Sequence, residues 1–155
     1  MSYLDESFEL WLTGDGSAVD MVKEYEKKDK RIIYYGFLPT YDELRKIQSK
    51  AKMMINMRDP NQPASKYCFP SKLFEYMLSG KPVLSPRLEG IPQEYYQYLI
   101  EISTISPRDI ADAIIKCSLI TNKEQYGLAG RDFIVKNKTN IKQAEKILRF
   151  LGEIT

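Results

Sequence analysis

The chain has 155 residues, of which 43% are hydrophobic and 28% are charged, a composition typical of one globular domain with a sizeable core. Its 23 basic and 21 acidic residues leave a formal net charge of +2, which excludes a protein whose main task is to neutralise the phosphates of a nucleic acid. The sequence contains no histidine, so histidine is excluded as a base, metal ligand or pH sensor within the chain.

Short apolar runs alternate with segments of helical spacing along the first two thirds of the chain. The runs are rich in β-branched and aromatic residues and are too short for buried helices, so each of them predicts a strand. Apolar positions between the runs recur every three to four residues, which predicts helices. This alternation indicates right-handed βαβ units and a parallel sheet covered on both faces. The five predicted strands cover residues 8–12, 31–35, 53–56, 82–84 and 98–102.

Turn and cap residues mark the ends of the predicted elements. Thr40, with Glu43 three residues later, forms the capping box of a helix start, and Gly80 stands where a helix end needs a left-handed residue. From about residue 107 to 155 the spacing is that of closing helices. Because no composition shift or linker divides the chain, we expect a single domain over residues 1–155.

The order of the first elements is unusual for a doubly wound sheet. Such sheets normally carry a βα unit ahead of their glycine-rich turn, whereas here the first predicted strand is preceded by only a few polar residues. We therefore expect the first βα unit of the sheet to be missing.

The two cysteines and the lack of long apolar segments indicate the cellular compartment of the protein. Cys68 and Cys117 are too few for a disulfide framework and lack the spacing of a metal site, which favours free thiols in a reducing compartment. The sequence has no run of about 18 apolar residues, and its first residues lack the basic start and apolar stretch of a signal peptide. We expect a cytoplasmic protein.

One helix start carries the pattern of a nucleotide site. Ligands of open parallel sheets bind beyond the carboxyl ends of the strands, where helix N-termini point amides outward. A helix that begins at Pro70 or Ser71 leaves the amides of Ser71, Lys72 and Leu73 without intrahelical partners, and Lys72 adds a positive charge that suits a diphosphate. Glu75, one turn further, can accept hydrogen bonds from ribose hydroxyls. An exposed ion pair between Lys72 and Glu75 explains the same spacing.

The residues around this helix form a longer signature. It comprises residues 69–77, 79–84 and 89–92, and related strand ends lie at residues 12–16 and 35–38. Together these stretches resemble the donor-binding half of GT-B glycosyltransferases, most closely the retaining family-4 group. The resemblance covers nearly the whole chain and implies a Rossmann-like, doubly wound parallel sheet, the carboxyl-terminal half of a GT-B fold.

The resemblance also implies a site for a nucleoside diphosphate sugar, with UDP as the favoured nucleotide. Glu75 would bind the ribose hydroxyls, and Gly14 and Gly16 would allow close backbone approach. No metal and no other cofactor is expected, and no catalytic residue is assigned. The donor diphosphate and sugar would contact Tyr67, Ser71, Lys72 and Leu73, and the base would be flanked by Gly36, Phe37 and Leu38.

One position departs from the family pattern. The family usually has a second glutamate eight positions before the one that matches Glu75, and this chain has Tyr67 there. A phenol can donate a hydrogen bond to a sugar hydroxyl, but it does not stabilise developing positive charge as a carboxylate does.

These features predict the donor-binding domain of a retaining hexosyltransferase. It would move a sugar from a nucleoside diphosphate to a glycan or lipid-linked acceptor, in polysaccharide or lipopolysaccharide biosynthesis. The acceptor would bind through an amino-terminal domain that is missing here, so we expect the chain alone to be inactive. A nucleic-acid partner is not expected, and the full-length protein can associate peripherally with the inner face of the membrane. Two alternatives stay open, a non-catalytic nucleotide-sugar-binding module and one half of a GT-B epimerase.

Overall fold

The computed structural model describes residues 1–152, in which strands and helices alternate as predicted. All five predicted strands are confirmed, and a 3₁₀-helix over Gln93–Tyr98 precedes the last of them. The strands are β1 (Leu10–Leu12), β2 (Ile32–Tyr34), β3 (Met54–Ile55), β4 (Val83–Pro86) and β5 (Leu99–Ile102). The helices are α1 (Val19–Lys28), α2 (Tyr41–Lys50), α3 (Pro63–Tyr67), α4 (Ser71–Leu78), α5 (Pro107–Leu119), α6 (Lys123–Asn137) and α7 (Asn140–Phe150). The closing helices are confirmed to Phe150, and the end of the predicted range, residues 153–155, lies outside the described residues.

The strands form two parallel sheets. In the first, β1 pairs with β2, and Leu10 lies opposite Ile32. In the second, the order is β3-β4-β5, with Met54 opposite Val83 and Val83 opposite Leu99. A Rossmann-type sheet has the order 3-2-1-4-5-6, and removal of its first strand leaves 3-2 and 4-5-6. The observed division into β2-β1 and β3-β4-β5 corresponds to that arrangement.

Helices cover both faces of the three-stranded sheet. Val83 packs with Leu73 and Met77 of α4 on one face. Leu84, the next residue of the strand, points to the other face and packs with Cys117 of α5. These two clusters position the start of α4 beyond the carboxyl end of β3.

The ends of α2 and α4 match the predicted caps. Thr40 and Glu43 form the capping box that starts α2, with both reciprocal hydrogen bonds present. Gly80 has φ +72°, the left-handed conformation predicted for it, and its N–H donates to the Met77 carbonyl over 3.1 Å. Next to this turn α6 approaches so closely that a Cβ on Gly127 would lie 2.3 Å from the Gly80 carbonyl oxygen.

The cysteines agree with the prediction of free thiols. Cys68 is exposed and Cys117 is buried, and neither forms a disulfide. Burial raises the pKa of the Cys117 thiol, which keeps it protonated. Among residues 1–152, no helix is both long enough and apolar enough to cross a membrane.

An ion pair at the start of β2 predicts an acid-sensitive contribution to stability. The Arg31 guanidinium donates to both carboxylate oxygens of Asp29 and also to the Leu4 carbonyl. The hydrogen bonds from Arg31 lower the pKa of Asp29 from 3.8 to about 2. Because the folded-state pKa is depressed, this contribution is present above pH 3.8 and is lost as the pH falls towards 2.

We expect Asp29→Asn to remove part of the fall in thermal stability between those two pH values, as measured by melting curves at a series of pH values. Glu6 provides the matched control, because its carboxylate lies 3.7 Å from the Arg31 Nε but is 89% exposed. Glu6→Gln should leave the pH dependence unchanged. Identical pH profiles for Asp29→Asn and the wild type would contradict the assignment.

Candidate nucleotide-binding site

The start of α4 is built as the sequence predicts, with one correction. α4 begins at Ser71, and Pro70 precedes it as the N-cap residue. Ser71 and Lys72 are exposed, and within residues 1–152 neither backbone N–H has a hydrogen-bond acceptor. The Leu73 N–H instead donates to the Pro70 carbonyl over 2.9 Å, and the Leu73 side chain is fully buried. The prediction of a free amide at Leu73 is therefore wrong, because the tight first turn uses that amide.

The two charged side chains of this turn do not pair with each other. Neither Lys72 nor Glu75 takes part in any ion pair within residues 1–152. Glu75 is half-buried. The pKa of the adjacent Tyr76 phenol is raised by the burial of Tyr76 itself and, to a smaller extent, by the negative charge of Glu75. The interpretation of Lys72 and Glu75 as an exposed ion pair is not supported by this geometry, and both groups are available to a ligand.

A buried polar pair lies at the carboxyl ends of β3 and β4. The Asn56 Nδ2 donates to the Ser85 Oγ over 2.9 Å, and the Ser85 hydroxyl donates to the Pro86 carbonyl over 3.0 Å. The sequence pattern did not predict this pair, although Asn56 is a polar residue at the end of an apolar run. The two strand ends are thereby fixed to each other.

The loop between β3 and α4 contains α3, which the sequence did not predict, and is held to the loop after β4. The Gly90 N–H donates to the carbonyl of Ser65, a buried residue of α3, over 2.9 Å. A Cβ on Gly90 would lie 2.6 Å from the Cys68 carbonyl oxygen, so the two loops are in backbone contact. Tyr67, the last residue of α3, is 85% exposed. Its ring therefore lies at the surface and not in the core.

The glycine-rich loops after β1 and β2 are joined to each other. The Gly14 N–H donates to the Gly36 carbonyl over 2.9 Å, and the Tyr34 hydroxyl donates to the Gly14 carbonyl over 2.6 Å. Gly14, Gly16 and Gly36 all have positive φ, and a Cβ on any of them would meet no atom within 4 Å. These glycines are thus required by backbone conformation, and the surface above them is open.

The remaining predicted residues lie beside these loops. Phe37 is 68% exposed, and Leu38 is half-buried. The structure therefore brings the predicted residues together in two groups, one after the strands of each sheet, both beyond the carboxyl ends of parallel strands. Two shallow surface depressions, of 320 and 420 Å³, are lined by none of the predicted site residues, although the second is lined by residues of the loop after β4, among them Glu89 and Ile91.

A parallel α/β domain with free helix amides, a lysine and a carboxylate at the carboxyl ends of its strands has the architecture of a nucleotide-binding domain. Residues 2–119 match the family model described as Glycosyl transferases group 1, and the chain belongs to this family. A search of curated proteins finds no match.

Solved structures share the fold of this chain. Anabaena Alr3699/HepE in complex with UDP has a TM-score of 0.73 over 97% of this chain, at 16% sequence identity. The same protein in complex with UDP-glucose has a TM-score of 0.71 over 97% of this chain, at 15% identity. This chain spans 42% of the length of that protein. The predicted Rossmann-like architecture of a GT-B glycosyltransferase is therefore confirmed.

Proposed function

We propose that this chain is the donor-binding part of a glycosyltransferase that uses a UDP-sugar. The observation that carries the proposal is the start of α4, at the carboxyl end of a parallel sheet. There one helical turn holds two backbone amides and the side chains of Lys72 and Glu75, and none of these groups has a hydrogen-bond acceptor or ion-pair partner within residues 1–152. Membership of the glycosyltransferase family supports it, as does the fold shared with a protein solved with UDP and with UDP-glucose.

In this proposal the diphosphate binds at the start of α4. The N–H groups of Ser71 and Lys72 donate to its oxygens, and the Lys72 ammonium and the positive end of the helix dipole stabilise its negative charge. Because negative charge on the diphosphate increases as the bond to the sugar breaks, the same groups stabilise the leaving group. This electrostatic stabilisation requires no metal ion.

Glu75 and the glycine loops bind the nucleoside. The Glu75 carboxylate accepts hydrogen bonds from the ribose hydroxyls, and charged acceptors make stronger hydrogen bonds than neutral ones. The open surface at Gly14 and Gly16 allows the ligand to approach the backbone closely. Gly36, Phe37 and Leu38 flank the base.

The complete enzyme transfers a hexose with retention of configuration to a glycan or lipid-linked acceptor, as part of polysaccharide or lipopolysaccharide biosynthesis. The acceptor binds to an amino-terminal domain. This chain alone binds the donor without turnover. The enzyme works in the cytoplasm, with peripheral contact to the inner face of the membrane.

The proposal is tested by titration of this chain with UDP and observation of backbone amide chemical shifts. We expect the shifts of residues 69–76 to change, with weak affinity. Uridine, which lacks the diphosphate, is the matched control and should leave the amides of Ser71 and Lys72 unchanged. No change in residues 69–76 at millimolar UDP would contradict the proposal.

A second candidate function is a non-catalytic nucleotide-sugar-binding module, and Tyr67 is the observation that favours it. The family usually has a carboxylate at this position, and the phenol here cannot stabilise positive charge in the same way. Both candidates bind the donor, so turnover by the full-length protein distinguishes them.

The position of Tyr67 predicts a specific effect on the sugar. If its hydroxyl donates to the donor sugar, Tyr67→Phe should weaken UDP-glucose binding by about 2- to 10-fold, the value of one neutral hydrogen bond, and leave UDP binding unchanged. Calorimetry with both ligands measures the difference. Tyr25→Phe, at an exposed tyrosine on α1, is the control. Equal effects of Tyr67→Phe on both ligands would show that the hydroxyl does not contact the sugar.

A further inference from the structure

The helix α3 is held in place by hydrogen bonds and not by an apolar face. It has five residues, far fewer than an isolated helix needs, and the only one of them that is buried is Ser65. The Ser65 hydroxyl donates to the Asp59 carbonyl over 2.6 Å, and the Ser65 carbonyl accepts from the Gly90 N–H over 2.9 Å. The position of α3 therefore depends on the loop after β4 as well as on the loop that precedes α3.

Gly90 is required at its position by space and not by backbone conformation. It does not have a positive φ, so its backbone is one that other residues adopt. A Cβ on Gly90 would lie 2.6 Å from the carbonyl oxygen of Cys68, the C-cap residue of α3, and 3.0 Å from the Ser65 carbonyl oxygen. Both are backbone atoms, so no side-chain rotation relieves the contact. A larger residue must push α3 and the loop after β4 apart.

The loop after β4 is in turn fixed by Tyr96 of the 3₁₀-helix. The Leu88 N–H donates to the Tyr96 hydroxyl over 2.8 Å, and that hydroxyl donates to the Leu88 carbonyl over 2.9 Å. Burial raises the pKa of the Tyr96 phenol, so the hydroxyl stays protonated and remains a donor. The Arg87 guanidinium lies 4.5 Å from the centre of the Tyr96 ring and forms an ion pair with Glu101 of β5. Two residues beyond Leu88, this loop contacts α3 through Gly90.

α3 ends at Tyr67, whose side chain has no support of its own. The ring is exposed, and within residues 1–152 its hydroxyl has no hydrogen-bond partner. The backbone of α3 therefore determines where this hydroxyl lies. The start of α4 is held separately, because Leu73 and Met77 belong to the apolar cluster that includes Val83 of β4. A shift of α3 can thus move Tyr67 without moving the first turn of α4.

We propose that Gly90 and Tyr96 are positioning residues for the donor sugar. Tyr96 fixes the loop after β4, Gly90 allows α3 to lie against that loop, and α3 places the Tyr67 hydroxyl where it donates to the sugar. Neither Gly90 nor Tyr96 contacts the ligand in this arrangement. The inference rests on the proposed function, since it needs a UDP-sugar bound at the start of α4. It makes recognition of the sugar depend on the loop after β4 as well as on α3.

Calorimetry with UDP and UDP-glucose tests the proposal. Tyr96→Phe removes both hydrogen bonds to the loop and keeps the ring, whereas Gly90→Ala pushes α3 away from the loop. We expect each variant to weaken UDP-glucose binding by about 2- to 10-fold, no more than Tyr67→Phe does, and to leave UDP binding unchanged. In the free chain, each should change the amide chemical shifts of residues 65–68 but not those of the first turn of α4.

The matched control is Tyr98→Phe. Tyr98 lies on the same 3₁₀-helix and stacks on Phe133, and within residues 1–152 its hydroxyl takes part in no hydrogen bond. Tyr98→Phe should leave both affinities unchanged. A double variant separates positioning from a general loss of structure. In a chain that already carries Tyr67→Phe, Tyr96→Phe should cause no further loss of UDP-glucose affinity, because the hydroxyl that it positions is gone.

Three outcomes would overturn the proposal. They are an unchanged UDP-glucose affinity in folded Tyr96→Phe, equal losses for UDP and UDP-glucose, and a loss from Tyr96→Phe that simply adds to that from Tyr67→Phe. If Gly90→Ala does not fold, Tyr96→Phe decides the result, because it adds no atom to the chain. A wild-type chain that does not bind UDP would contradict the proposed function as well, whereas the three outcomes above leave UDP binding by the wild type intact.

Discussion

Glu75→Ala is expected to raise the dissociation constant for UDP by about 10- to 150-fold, the value of a hydrogen bond to a charged group. The carboxylate makes short-range contacts to neutral ribose hydroxyls, so the loss should persist at high salt. Lys72→Ala removes a charge that attracts the diphosphate partly at a distance. At 1 M salt the Debye length is about 3 Å, so this part of the attraction is screened. We therefore expect Glu75→Ala to cost more affinity than Lys72→Ala at high salt, as measured by calorimetry.

A change of ligand provides the control for this prediction. The wild type should discriminate between UDP and 2′-deoxy-UDP, because the second lacks one hydroxyl of the ribose. Glu75→Ala should lose that discrimination, whereas Lys72→Ala should keep it. Equal losses for both variants at every salt concentration, with discrimination retained by Glu75→Ala, would show that the assigned roles are wrong.

Gly127→Ala is expected to destabilise the protein by about 3 kcal/mol, at the upper end of overpacking effects. A Cβ at this position would lie 2.3 Å from the Gly80 carbonyl oxygen, 2.6 Å from the Lys81 carbonyl carbon and 2.8 Å from the Pro82 nitrogen. All three are backbone atoms, so no side-chain rotation relieves the contact. Either α6 or the connection between α4 and β4 must move.

Gly130→Ala is the matched control on the same helix. There the nearest atom to a new Cβ is the Tyr98 Cβ at 3.4 Å, an ordinary contact, and alanine favours a helix by about 1 kcal/mol over glycine. Urea unfolding should give Gly130→Ala a stability equal to or above the wild type. A Gly127→Ala variant as stable as Gly130→Ala would contradict the close approach of α6 to this turn.

Much of the fold could be predicted from the sequence because its signals are local. The strands are short runs of β-branched and aromatic residues, and the capping box at Thr40 and the left-handed turn at Gly80 depend only on nearby residues. The start of α4 was predictable for the same reason, since proline and serine mark the first turn of a helix. The family resemblance then assigned roles that periodicity alone does not provide.

The rest depends on contacts between distant parts of the chain. The use of the Leu73 amide follows from the tightness of one turn, and the contact of Gly90 with Cys68 follows from how two loops meet. The helix α3 has only five residues, too few to show a period. The element order alone led to the expectation that a first βα unit is absent, but the division into two sheets emerges only when the pairing partners are known.

The buried apolar residues are unevenly distributed along the chain, and this affects which part of the domain unfolds locally first. Segments with few buried contacts unfold locally at a lower free energy than the rest. Residues 9–50 form such a segment, because Ile32 is the only buried apolar residue among them, whereas the start of α4 is anchored by the fully buried Leu73 and Met77. In the proposed binding mode the base contacts residues 9–50, which unfold at the lower free energy, and the diphosphate contacts the more stable start of α4. Donor binding would then stabilise residues 9–50 against local unfolding, because a ligand that binds only when both segments are folded shifts the equilibrium towards the fully folded state.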